Sequence, residues 1–168
     1  MIRQVILGAV LMMGALECQA RIGETEAESQ QRYGKPVNET IANVMPILDG
    51  AVHHTYLYQG WHIRAAFAGG KTVRMHYFKR AAPMGIKEDE AQAIRDGEAL
   101  GGRWSEVMVF KWYDTIFSRA WVNTNRCIAY FSGIGSMLFV VDSPAAQAFI
   151  QAKKEADEQK RKATIPKF

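Results

Sequence analysis

The stretch WHIRAAFAGGKTVRMHYFK, residues 61–79, reads as a β-hairpin, and the rest of the fold follows from how its two arms pair. Runs rich in aromatic and β-branched residues flank Ala68-Gly69-Gly70, a strong turn signal. With a two-residue loop, Gly69-Gly70, Ala68 pairs with Lys71. Trp61, Ile63, Ala65 and Phe67 then share a face with Thr72, Arg74 and His76. A three-residue loop instead sets Phe67 against Lys71, Ala65 against Val73, Ile63 against Met75 and Trp61 against Tyr77. One face is then apolar in all but its last rung. A slip of one residue turns every side chain over, so burial selects the three-residue register, with Gly70 at its left-handed position.

That register makes the second face basic. It sets His62 opposite His76 and Arg64 opposite Arg74, and like charges directly across a ladder are destabilising. These four residues are the candidate partner-binding face. The stripe is plain solvated surface, or it meets a carboxylate elsewhere in the fold, or it meets an anionic partner. All four histidines lie between residues 53 and 76, and AVHHTYLYQ, residues 51–59, reads as a strand preceding the hairpin. If His54 joins His62 and His76, three imidazoles converge, but no carboxylate or thiolate completes a closed metal set. No metal site or cofactor is assigned.

The chain has 168 residues, 48% hydrophobic and 23% charged, which suits one globular domain with a substantial core. Its start is different in character. Arg3, an apolar run over residues 5–16 and the small-x-small triplet Cys18-Gln19-Ala20 predict a bacterial-type secretory signal over residues 1–20. A mature chain beginning at Arg21 follows, periplasmic or secreted, with no transmembrane segment after cleavage. Glu17 before Cys18 argues against lipidation there. The mature balance is 20 basic against 16 acidic residues, spread along the chain, which gives nucleic-acid binding little support. Only Cys127 survives maturation, in the apolar run CIAYF, so no internal disulfide forms and a buried, inert thiol is expected.

Capping signals place the helices. Thr25 with Glu28 is a capping box, and Gly34 and Pro36 close a helix within residues 22–36. Residues 37–50 carry near-helical apolar spacing limited by Pro46, and residues 80–85 form a linker. Residues 86–100 read as a second helix with Glu88, Asp89 and Glu90 in its first turn and Gly101-Gly102 after it. Strands are expected over 106–112, 117–124, 126–131 and 136–141, with an aromatic core drawn from Trp104, Phe110, Trp112, Trp121, Tyr130 and Phe139. Ser143-Pro144 opens a helix over 143–162 whose stripe is Ala145, Ala148, Phe149, Ala152 and Ala156. Ile165 and Phe168 end a polar tail.

This order predicts an α+β fold: antiparallel sheet with helices on one side, two diverged helix-then-sheet units over 22–79 and 86–141, and a C-terminal helix. Gly23-x-Thr25, Tyr33-Gly34-x-Pro36 and Phe67-x-Gly69-Gly70-Lys71-x-Val73 are similar to the repeat of BamE/SmpA-type outer-membrane assembly proteins. The β-lactamase-inhibitor-protein fold is built of the same unit. The chain also resembles small secreted bacterial proteins that begin with a G-E-T…R-Y-G-x-P cassette. The resemblance implies an exported binding or envelope-assembly module with a protein partner, not an enzyme. The alternatives are metal or small-ligand capture by the histidine face, and a cysteine enzyme in which Cys127 is the nucleophile and a histidine the base.

Overall fold

The computed structural model describes residues 21–37, 47–79, 85–99, 101–107, 119–132 and 138–164. Its elements are α1 (Glu26–Tyr33), β1 (Val52–Tyr58), β2 (Trp61–Ala68), β3 (Lys71–Phe78), α2 (Glu88–Gly97), β4 (Trp104–Val107), β5 (Ala120–Asn123), β6 (Ile128–Ser132), β7 (Leu138–Asp142) and α3 (Pro144–Ala163). The fold is α+β, and the strands form one antiparallel sheet of seven, in the order β1-β2-β3-β7-β6-β5-β4. Each of the first two helices is followed by a meander, and the two meanders join where β3 pairs with β7 from Arg74↔Asp142 to Phe78↔Leu138. Several expectations fall outside the described residues: the helical spacing of 38–46, most of the linker, the aromatics Phe110 and Trp112, and the tail residues Ile165 and Phe168.

The hairpin corrects the expected register. Its loop has two residues, Gly69 at φ 60° and Gly70 at φ 75°, and Ala68 pairs with Lys71. Two successive positive φ angles make a type I′ turn, whose twist matches that of the strands and which two glycines adopt without strain. The parity conflict that argued against this loop is resolved by a β-bulge. Phe67 pairs with Thr72 but Ala66 with Arg74, so Val73 is the extra residue. Beyond it Ala65 meets Met75 and Ile63 meets Tyr77, and these four residues face the main core. Val73 is thereby turned to the opposite face, onto Ala66, Ile47, Leu48 and the start of α3.

The helices divide between the two faces. Ile22, Tyr33, Ala91 and Ile94 carry the α1 and α2 segments onto Tyr56, Phe67, Trp121 and Phe139. The Thr25–Glu28 capping box is present, and Gly34 at φ 86° ends α1. In α2 the acidic first turn is as expected, but the helix stops at Gly97, with Glu98 as its C-cap. In α3 Ser143 Oγ accepts from the Ala146 amide at 3.2 Å. The stripe that packs is Ala146, Phe149 and Ile150, while Ala145, Ala148, Ala152 and Ala156 are exposed. The packed stripe is thus turned about one residue from the expected phase. After Lys153 the helix is exposed, apart from half-buried Glu158.

Candidate functional site

Alternation places His62, Arg64, Arg74 and His76 on one face of the sheet, the face that α3 reaches. The observed register separates the expected like-charge pairs. His62 lies opposite Phe78, Arg64 opposite His76, and Arg74 opposite Ala66. Arg74 meets a carboxylate within the fold: its Nε and Nη2 donate to Asp142 at 2.5 and 2.7 Å, and its Nη1 donates to the Ile47 carbonyl at 2.7 Å. It therefore ties β3, β7 and the segment before β1 together. Burial pushes the Asp142 carboxyl up from its ordinary value and the Arg74 guanidinium pulls it back.

His62 is buried and stacks on Phe78 with ring centroids 4.9 Å apart. Arg64 is half-buried, and burial draws its guanidinium below the ordinary value. His76 is pushed down to about 3, by burial first and then by Arg74, Arg64 and His53. It is neutral near pH 7, which removes the repulsion expected across this ladder. His54 faces the other way, with Nε2 2.9 Å from Glu26 Oε2. The three imidazoles thus do not converge. Among the described residues no three histidine, cysteine or carboxylate side chains are placed to hold a metal.

A cleft of about 300 Å³ lies on the opposite face, between α2 and the end of the β1–β2 hairpin. The hairpin turns at Gln59 and Gly60, both at positive φ, so Tyr58 and Trp61 stand side by side as its aromatic wall. Ile63, Tyr77 and Ile94 line its apolar part, and Glu90 marks its rim. Lys79 Nζ sits 4.5 Å from the Trp61 ring and is ion-paired to Glu90, so the rim charges are matched. A second depression, of about 440 Å³, is lined only by Gln, Lys and Glu side chains of exposed α3 and lacks an apolar wall.

Arg21 forms the inner end of the cleft. Its guanidinium lies against the end of α2, where a Cβ added at Gly97 would stand 3.6 Å from Arg21 Cζ, and it sits 5.9 Å from the Tyr33 ring centroid. Arg21 Nε and the Tyr33 hydroxyl are both buried without a hydrogen-bond partner among the described residues. Next to them lies Glu98, which is wholly inaccessible. It accepts from the Ile22 amide at 2.8 Å and from the Tyr77 hydroxyl. Burial pushes its carboxyl up to about 7, against the pull of Tyr77, Arg21 and the Ile22 amide. Burial pushes the Tyr33 and Tyr77 phenols upward as well. The arrangement is an aromatic-walled pocket with a cation at its base and, behind it, an acid that exchanges a proton near neutrality.

Sequence reading missed Arg21 and Glu98. A signal for Glu98 was present: with Ala91 and Ile94 it occupies i, i+3 and i+7, a carboxylate in the apolar stripe of α2. Arg21 carried no such signal, because its neighbours come from β3 and from the far end of α2. No family model, curated protein or solved structure matches this chain.

Proposed function

We propose that the chain is an exported, non-catalytic binding module and that the cleft at the hairpin end is its recognition element. The observation that carries this is the cleft itself: a concave, aromatic-walled site with few convergent polar groups, a guanidinium in its lining and a perturbed acid buried behind it, the features that mark small-molecule sites. Its volume is at the lower end of the roughly 300–1,000 Å³ range for such sites. The resemblance to the BamE/SmpA and β-lactamase-inhibitor repeat supports binding over catalysis. So does Cys127, which is wholly buried and whose thiol burial pushes above its ordinary value, the opposite of an activated nucleophile.

Chemical-shift mapping of the purified chain against a fragment library tests the cleft. The amides of Tyr58, Trp61, Tyr77 and Ile94 are expected to move; hits that map elsewhere, or no hits, defeat the reading. Expression with residues 1–20 intact in a bacterial host, followed by N-terminal sequencing, tests export. A chain starting at Arg21 supports it, and one retaining Met1 defeats it.

A further inference from the structure

The charges around the cleft are unevenly matched. At the rim, Glu90 and Lys79 neutralise each other. Glu24, close to the inner cluster, is paired with Arg32. Among the described residues Arg21 has no ion pair of that kind: the Tyr77 and Tyr33 hydroxyls and Glu98 face it, and Glu98 is buried and already accepts the Ile22 amide and the Tyr77 hydroxyl. Arg21 lines the cleft and its buried Nε–H has no hydrogen-bond partner among the described residues, so the guanidinium has donor capacity to spare for a carboxylate that enters there. The aromatic pair above it, Tyr58 and Trp61, suits a planar apolar body.

We propose that the cleft binds a small aromatic carboxylate, its ring against the wall of Tyr58 and Trp61 and its carboxylate on Arg21. This rests on the reading of the cleft as the recognition element and adds its ligand class. It also carries a proton. With the ligand's carboxylate on Arg21, Glu98 gains a nearby like charge that offsets the pull of the Arg21 guanidinium, while Tyr33, Tyr77 and the paired Glu24 stay as they are. Glu98 then binds a proton more tightly, so association near pH 7 takes up a fraction of a proton.

Benzoate, benzamide and benzylamine serve as anionic, neutral and cationic probes of similar shape. Titrations followed by NMR are expected to move the Trp61 indole and Gly97 amide signals with benzoate, at least tenfold more tightly than with benzamide, and least with benzylamine. Arg21→Gln is expected to bring benzoate and benzamide level, and Arg21→Lys to keep the anion preference in part, which separates lost charge from lost fold. Calorimetry of benzoate binding in buffers of different ionisation enthalpy is expected to show proton uptake. If benzamide or benzylamine binds these residues as tightly as benzoate, the ligand class is overturned and the cleft stands. If none of the three moves them, the cleft is overturned as well.

Discussion

Under α1 and α2 the sheet buries an acid, and on its other face it holds a half-buried base. Glu98 sits among donors, namely the Ile22 amide, the Tyr77 hydroxyl and the nearby Arg21, yet burial still lifts its carboxyl to about 7. His76 has cations for neighbours and a buried Nδ1 with no hydrogen-bond partner among the described residues. Burial and those cations press it down to about 3. Desolvation leads in both cases and both groups favour the neutral form. Their consequences for stability nevertheless have opposite signs.

The folded chain holds a proton on Glu98 that the unfolded chain releases above about 4.5, so the contribution of this group is full below that pH and is lost as pH rises towards about 7. His76 behaves in reverse. The unfolded chain takes up a proton below about 6.5 that the folded chain refuses until about 3, so stability falls on acidification through that window. Between about pH 4.5 and 6.5 the two slopes oppose each other and largely cancel. One sheet therefore carries two compensating titrations, one per face.

The largest expected effect breaks the basic face at Arg74. Arg74→Met leaves Asp142 buried without its cation and is expected to lower unfolding stability by about 3–5 kcal/mol in denaturant titrations. Arg74→Met with Asp142→Leu is expected to recover most of that loss. A single variant as stable as the parent would refute the clamp. Glu98→Gln comes next and exposes the other face's titration. Its stability relative to the parent is expected to improve by on the order of 3 kcal/mol between pH 4.5 and 7.5, leaving a variant that gains stability with rising pH up to about 6.5. A difference that stays flat with pH contradicts the assignment. The smallest effect is His76→Phe, expected to gain about 2 kcal/mol on the parent as pH falls from 7.5 to 5, read by thermal melts in matched buffers. Parallel pH profiles for variant and parent would remove His76 from the account.

The features legible in the sequence were those made by neighbours in the chain. Thr25 and Glu28 cap α1 through contacts three residues apart, and Ser143 with Pro144 opens α3 in the same local way. Alternation also put His62, Arg64, Arg74 and His76 on one face, because a strand has only two. What happens on that face was not legible. Arg74 is held by a carboxylate 68 positions away, and the neutrality of His76 depends on burial contributed by the rest of the fold. The hairpin illustrates the limit most directly. Burial did select an apolar face of Ile63, Ala65, Met75 and Tyr77, but a bulge at Val73 achieved it rather than a longer loop, because Val73 has a second core to enter beside Ala146. Pattern alone specifies that a face must be apolar; which local device delivers it depends on what covers the opposite side.

The seam between β3 and β7 bears on how the chain assembles in time. Every other pairing in the sheet joins strands that follow one another in sequence. Each meander can therefore zip up between strands that are adjacent in sequence. The seam alone brings together residues as far apart as Arg74 and Asp142, 68 positions, after the whole second unit has been ordered. Loop-closure entropy must be met before such non-local contacts form, which makes long-range strand pairing the slow class of folding event. The expected order is two separately formed half-sheets that later knit along five rungs, from Arg74↔Asp142 to Phe78↔Leu138.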